Sequence, residues 1–352
     1  MSQLRSNIVR AGLEALYFSG AHHLLRPLLA GVGTIFMLHR VRPVRKDAFQ
    51  PNSHLEITPD FLRAVLAHVR ELDVDIVTLD EMHRRMRERN FARRFACFTF
   101  DDGYRDNRDF ALPVMRDFSA PFTIYVPSDF ASGTGKLWWV ALERLIAKVD
   151  FLDVPMHGAQ MRFDCRDTAA KREAFVTVHD WLRALPADTD VNRTVSDLCR
   201  RHGLDDGPIA RELCMSWQEL QTFAVDPLVT IGGHTLSHCN LAKCTSDLAE
   251  REIAANRADI EAKLDRPVAH FAYPYGDKAA AGTRDFAIVR KLGFRTAVTT
   301  RPGMLFPENA EHMTALPRLS LNGNYQDERL LKVLTSGAPT AVWNGFRRID
   351  AA

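Results

Sequence analysis

The stretch Phe95-Ala-Cys-Phe-Thr-Phe-Asp-Asp-Gly-Tyr104 decides the fold. Its first six residues are apolar, rich in aromatics and bounded by charge, which predicts a short buried strand. Asp101, Asp102 and Gly103 then fall where the strand gives way to a loop. In α/β folds that end of a strand is where chemistry is usually built. Neighbouring side chains on an extended chain point in different directions, so the two carboxylates are expected to do different work. One can hold a metal while the other moves a proton. Taken alone, Asp-Asp-Gly is also an ordinary solvated turn, and the rest of the chain has to decide between these readings.

Working outward, the flanks repeat one rhythm. Gly33 to Leu38 reads as a strand that delivers His39 to its end. Thr58-Pro59-Asp60 predicts a helix start, with proline at the first helical position and Leu62, Val65, Leu66, Val69 and Leu72 recurring behind it. A short strand at Asp75 to Thr78 and a capping box at Thr78-Leu-Asp-Glu81 precede the decisive strand. After it, Asn107 to Phe118 reads as a helix despite Pro113, and Phe122 to Val126 as the next strand. Strand, loop and helix at this spacing imply β/α units and a mostly parallel sheet or barrel. The rhythm resumes at Val229 to Gly233. It continues through helices at Ser246 to Leu264 and Arg284 to Leu292, and strands at Val268 to Tyr273, Phe294 to Val298 and Leu316 to Ser320. A last helix is expected over Asp327 to Thr335, and the tail from residue 337 to 352 is expected to be loosely held.

Residues from about 134 to 215 break the rhythm and read as a helical insertion, since β/α barrels grow by lengthening their loops. Helices are expected at Trp138 to Val149 and Lys171 to Leu185, with an irregular stretch between them. Trp138 and Trp139 either line a cleft or pack the insertion onto the barrel. Residues 1–32 predict an amphipathic helical segment; such a helix can touch a membrane surface, but docking on its own domain is the commoner case. The whole is then one barrel over 33–336 between two terminal segments.

Composition narrows the function. A formal net charge of +2 gives no reason to expect a polyanionic partner, and no nucleic-acid module is present. The six cysteines form no Cys-x-x-Cys pair, which suits free thiols in a reducing, cytoplasmic setting. Cys239 and Cys244 flank a histidine-rich segment, but their spacing matches no structural zinc pattern. No apolar run approaches the roughly 20 residues that a bilayer-spanning helix needs. Arg5 and Arg10 could open a signal peptide, but Glu14, His22, His23 and Arg26 interrupt its apolar part.

Two further motifs carry chemistry. His234-Thr-Leu-Ser-His238 follows a predicted strand, and two histidines four apart on a helical turn would point the same way and grip one metal. Joined to an Asp-Asp-Gly at another strand end, they make a two-histidine, one-carboxylate site with positions left open for water and substrate. Phe271-Ala-Tyr-Pro-Tyr-Gly276 adds a stiff aromatic wall.

Thr99-Phe-Asp-Asp-Gly-Tyr104, His234-Thr-Leu-Ser-His238 and Phe271-Ala-Tyr-Pro-Tyr-Gly276, in this order, resemble the polysaccharide deacetylases of the NodB-homology type, carbohydrate esterase family 4. The resemblance covers roughly residues 33 to 320 apart from the insertion. It implies a distorted (β/α)7 barrel, a divalent metal such as Zn²⁺, and hydrolysis of the acetamide of N-acetylated sugars of the chitooligosaccharide or N-acetylglucosamine type. Carried over, it makes Asp102, His234 and His238 the metal ligands and Asp101 the general base. The oxyanion and substrate contacts fall to Tyr275 beside Pro274, and to Tyr104. Two departures stand out. Many members place an arginine where this chain has Ala272, and Arg318 in Leu-Pro-Arg is a candidate replacement. Many also carry a C-terminal Leu-x-His acid, which is absent here after residue 300. Phe36-Met-Leu-His-Arg-Val41 instead resembles the permuted branch related to deacetylases of poly-N-acetylglucosamine export, which makes His39 the general acid. A binding relative without activity and a deacetylase of a non-sugar amide remain open alternatives.

Overall fold

The computed structural model describes residues 3–351, with side chains from Ile8 onward. Seven parallel strands close into a barrel: β1 (Gly33–Leu38), β2 (Phe95–Phe100), β3 (Phe122–Val126), β4 (Val229–Gly233), β5 (His270–Ala272), β6 (Thr296–Pro302) and β7 (Leu316–Ser320). Each strand pairs with its neighbours in sequence, and β1 closes the ring on both β7 and β2. The β1–β2 seam is the most regular, six residue pairs from Gly33↔Phe95 to Leu38↔Phe100. The barrel is distorted elsewhere: β4 and β5 share a single pair, Phe271↔Gly233, and the β6–β7 register shifts between Val298 and Pro302. The stretch Asp75–Ile76 is an outlying strand beside the start of β2.

Period two along the strands sorts inside from outside. On β2, Ala96, Phe98 and Phe100 face the surrounding helices, while Phe95 and Cys97 face inward. Ile35, Cys97, Tyr125, Ala272, Val298 and Leu316 form one interior cluster, a residue from each of six strands. The seventh, β4, contributes Gly232, where a Cβ would sit 2.5 Å from the Tyr125 ring. Glycine there leaves the bore of the barrel to that ring.

Thr58 caps the helix Pro59–Glu71 by accepting from Phe61 N–H, as the sequence predicts. The expected helix after β2 begins as a five-residue π-turn, Asn107–Ala111, and becomes α-helical over Leu112–Asp117. Pro113 has no N–H to give, so regular i→i−4 bonding cannot pass through it.

The insertion is not purely helical. An antiparallel hairpin, Phe151–Met156 with Ala159–Asp164, joins helix α3 (Trp138–Lys148) to α4 (Thr168–Ala184), and α5 (Asp188–Arg201) follows. Its turn residues, His157 and Gly158, both have positive φ (53° and 79°), as a two-residue hairpin turn requires. The hairpin replaces the irregular stretch expected between the helices. Leu142, Leu145, Leu152, Val178 and Leu198 give the insertion its own apolar core.

Farther on, α6 (Ser246–Leu264) buries Ala249, Ile253, Asn256 and Ile260 at helical spacing. Helix α7 (Glu328–Leu334) is followed by α8 (Ala338–Trp343), so the tail is not loose. Ala338 is fully buried, and Asn344 Nδ2 donates to Pro302 O at 2.7 Å. At the other end, α1 (Gln3–Phe18) and α2 (Ala21–Leu29) precede β1. All six cysteines are free thiols. Among the described residues no helix is long and apolar enough to cross a membrane.

Candidate active site

The two carboxylates leave β2 together and meet opposite partners. Asp101 receives both prongs of the Arg318 guanidinium, Nη1 to Oδ1 and Nη2 to Oδ2, each at 2.7 Å. Arg318 comes from β7, is fully buried, and spends its Nε on Thr299 O at 2.8 Å. Burial pushes the Asp101 carboxyl up, but the charge and hydrogen bonds of Arg318 outweigh it and hold the group below the usual carboxylate range. The arginine that the resemblance leads one to expect at Ala272 thus reaches the carboxylate from another strand.

Asp102 sits in the left-handed region (φ 72°) and faces two imidazoles. His234 Nε2 lies 3.5 Å and His238 Nε2 3.2 Å from Asp102 Oδ1. His234 Nδ1 is 2.7 Å from Ala272 O. A carbonyl only accepts, so the proton is on Nδ1 and the Nε2 lone pair points at Asp102. Asp102 Oδ1 is buried and has no hydrogen-bond partner in the chain. One ligand atom from each of Asp102, His234 and His238 lies within 4.8 Å of the others. Two imidazole nitrogens facing a buried, unsatisfied carboxylate oxygen make a three-donor set that fits a divalent cation. Cys239 and Cys244 are not part of this group, and their sulfurs lie 3.8 Å from each other.

The histidines do not sit on a helical turn, as their spacing suggests. Residues 234–240 form an irregular loop in which Thr235 and His238 both have positive φ (62° and 58°). Two residues of α6 hold that shape. Asn256 Oδ1 accepts from His234 N–H at 2.8 Å, while Asn256 Nδ2 donates to Val126 O and Ser128 Oγ. Glu252 accepts from the N–H and hydroxyl of Ser237, both at 3.0 Å. Neither Asn256 nor Glu252 belongs to the motifs that the sequence displays. The signal for Asn256 is an amide inside the buried stripe of an otherwise apolar helix face.

His39 follows β1, and its Nε2 lies 3.9 Å from Asp101 Oδ2. Burial lowers its pKa, and the charges of Asp101 and Asp102 oppose that only in part. Asn107, in the π-turn, donates to His39 O at 2.8 Å and fixes the backbone there.

The wall over His238 is aromatic. Phe130, Trp139 and Tyr275 lie 5.5, 5.2 and 5.1 Å from its ring. Gly276 N–H returns to Pro274 O at 2.7 Å around Tyr275 at φ 60°, closing a γ-turn of the strained hand. Trp138 Nε1 donates to Tyr275 Oη at 2.9 Å, and the Arg183 guanidinium covers the Tyr275 ring at 4.9 Å. Trp138 and Trp139 are both buried, so they build the wall more than they line an open cleft. Tyr104 lies beneath it, fully buried, its hydroxyl accepting from Trp139 Nε1 at 3.2 Å. Behind Trp139 and Tyr104, a cavity of about 640 Å³ opens toward Arg42, Arg45, Asn52 and Glu143. Asp101, Asp102, His234 and His238 do not line it.

The polysaccharide deacetylase family model matches residues 184–297, which include His234, His238 and Tyr275 but not the paired aspartates. No curated protein matches. Among solved structures, the deacetylase PplD of Streptococcus pyogenes, in complex with acetate, aligns over 83% of this chain and 92% of its own, with a TM-score of 0.55 and 14% identity. A polysaccharide deacetylase from Bacillus cereus aligns over 86% of this chain and 68% of its own (TM-score 0.53, 15% identity). IcaB from Ammonifex degensii aligns over 82% and 91% (TM-score 0.51, 18% identity). The chain is thus similar to polysaccharide deacetylases over residues 184–297, and it shares with these solved structures a closed barrel of seven parallel strands.

Proposed function

We propose that the protein removes N-acetyl groups from an N-acetylated oligo- or polysaccharide, with a divalent metal, Zn²⁺ first among candidates, held by Asp102, His234 and His238. The observation that carries this reading is the division of labour between adjacent carboxylates. One is gripped by Arg318 at 2.7 Å twice, and the other has an unsatisfied oxygen facing two imidazoles. When bound, a divalent metal acidifies water and polarises the acetamide carbonyl. Asp101, kept ionised by Arg318, accepts the proton of the attacking water. Oxygen bonds to the carbonyl carbon, and the Tyr275 amide in its γ-turn donates to the resulting oxyanion. His39 then gives a proton to the departing nitrogen, so amide and water leave as acetate and amine. Pro274 stiffens the turn, and Tyr104 supports the wall from below.

The aromatic wall, whose Tyr275 is half-buried, favours a saccharide over another amide. The reading of a binding relative without activity had the missing motif arginine as its ground, and the Arg318 fork weakens that ground. The test is mass spectrometry of a panel of N-acetylated oligosaccharides, including chitooligosaccharides, incubated with metal-loaded protein and with a chelator. Loss of acetyl groups only in the metal-loaded sample is expected. No loss from any member of the panel at full metal occupancy overturns the proposal.

A further inference from the structure

The loop that carries His238 also carries a pair of thiols. Cys239 follows the histidine directly, and Cys244 comes after the 3₁₀ turn Leu241–Lys243. Their sulfurs are 3.8 Å apart, in contact and not bonded. Of the six cysteines, five are buried and Cys244 alone is half-buried, so an oxidant in solution meets this pair first. An accessible thiol with a second thiol beside it is the arrangement in which oxidation ends in a disulfide. Neither cysteine belongs to the three-donor set, and neither has a part in the proposed reaction.

Bonding the two sulfurs must move the chain. A disulfide holds its sulfurs at about 2.05 Å, so these two have to approach by about 1.8 Å. The Cys244 side is tied down. Its N–H bonds to Leu241 O at 2.9 Å, and its carbonyl accepts from Arg284 Nη1 at 2.7 Å. The next residue, Thr245, caps α6 by accepting from Leu248 N–H. The Cys239 side has fewer ties. Among the described residues no backbone hydrogen bond is made by Cys239 itself, although Asp188 holds the N–H of Asn240 beyond it. On its other side stands His238, at φ 58°. The approach therefore falls on Cys239 and, through one peptide unit, on His238. The Nε2 of that histidine is 3.2 Å from Asp102 Oδ1, and a functional constellation tolerates only about 0.5 Å of misplacement.

We infer that Cys239 and Cys244 form a reversible disulfide that pulls His238 out of place and loosens the metal site, so that oxidation switches the protein off. The inference rests on the reading of Asp102, His234 and His238 as metal ligands. The reaction is exchange with a small-molecule disulfide. The Cys244 sulfur bonds to one sulfur of that disulfide, and the other sulfur leaves as a thiol with the proton that Cys244 gives up. The Cys239 sulfur then bonds to the Cys244 sulfur, and the second small thiol leaves with the Cys239 proton. The protein loses two hydrogens, and the small disulfide is reduced to two thiols. A bridge strained across a pinned turn is readily reduced again, which suits a switch more than a structural staple.

The test treats the full chain with excess oxidised glutathione and afterwards with dithiothreitol. Peptide mass spectrometry of the oxidised protein is expected to find Cys239 joined to Cys244, with the other four thiols still free to be alkylated. Competition with a chromogenic chelator should show Zn²⁺ bound at least about tenfold more weakly, the scale of effect seen when the support of a metal ligand is disturbed. Dithiothreitol should reverse both changes. Cys244→Ser should match the reduced wild type in circular dichroism and Zn²⁺ affinity, and should not respond to the oxidant. Absence of the Cys239–Cys244 bridge overturns the inference. So does a bridge that leaves Zn²⁺ affinity unchanged, or an equal loss of affinity in Cys244→Ser. A reduced protein that binds no Zn²⁺ is a different failure, since it overturns the metal reading and the switch with it.

Discussion

The floor of the site and its wall are built differently. The floor consists of residues at strand ends: His39 after β1, Asp101 and Asp102 after β2, His234 after β4, and Arg318 within β7. Closure of the barrel alone brings these together. The wall consists of Trp138, Trp139 and Arg183 from the insertion, packed over Tyr275 and His238. In the proposed reaction the floor carries the chemistry, and the wall holds the substrate and excludes water. Changes to the floor should therefore act on turnover, and changes to the wall on binding.

The largest effect is expected from His234→Ala. With one of three protein ligands gone, metal and activity should be lost together. Elemental analysis beside an acetate-release assay checks this, and full metal occupancy in the variant would remove His234 from the floor. Next comes Asp101→Asn, which should keep its metal and lose about 10²–10⁴-fold in kcat, the usual worth of general-base assistance. If Asp101→Asn loses metal while Asp102→Asn retains it, the two carboxylates have exchanged roles.

The floor was legible in the sequence because all of its residues but Arg318 follow a short apolar run, and such runs are themselves legible. The strands Gly33–Leu38, Phe95–Phe100, Phe122–Val126, Val229–Gly233 and Leu316–Ser320 match their sequence-based bounds residue for residue. The His-x-x-x-His spacing misled about local structure. Four residues is one helical turn, but it is equally the span of a loop bent by left-handed Thr235 and His238. What bends that loop, Asn256 and Glu252, lies on a helix some twenty residues away, so no local pattern reveals it. The wall was less legible still. The hairpin in the insertion alternates buried and exposed only along Phe151–Met156, while Ala159–Asp164 is exposed almost throughout. Half the expected periodicity is missing. The docked tail escaped notice because the partner of Asn344, Pro302 O, lies on a barrel strand distant in the sequence.

A smaller loss is expected on the floor from His39→Ala. Metal binding should be normal, with kcat lower by about 10²-fold, the low end for loss of a general acid. Equal turnover in wild type and variant would reduce His39 to a structural neighbour of Asp101. Arg318→Lys should cost less, about tenfold in kcat, because it keeps a charge but not the two-pronged fit. Its signature is a shift in pH dependence. Arg318 holds the Asp101 carboxyl below the usual range, so a weaker partner lets that pKa rise. Activity that needs ionised Asp101 should then begin to fail at higher pH than in the wild type as the solution is acidified. A pH–rate profile with an unmoved acid limb would mean that Arg318 positions Asp101 without tuning it.

The smallest effect separates wall from floor. Trp138→Phe keeps the aromatic packing of the wall and deletes one hydrogen bond, Nε1–H to Tyr275 Oη at 2.9 Å. Such a bond is worth about 0.5–1.5 kcal/mol, or roughly two- to tenfold in an equilibrium constant. Tyr275 remains packed against His238 at 5.1 Å and under Arg183 at 4.9 Å, so its turn should persist with more freedom in the ring. If the ring serves as a face for the sugar, the loss appears in KM, with kcat within about twofold of wild type. If the hydrogen bond instead fixes the γ-turn that aims the Tyr275 amide at the oxyanion, kcat falls and KM stays. The KM outcome keeps the division between floor and wall. The kcat outcome moves Tyr275 to the floor and makes Trp138, from the insertion, a positioning residue for the chemistry.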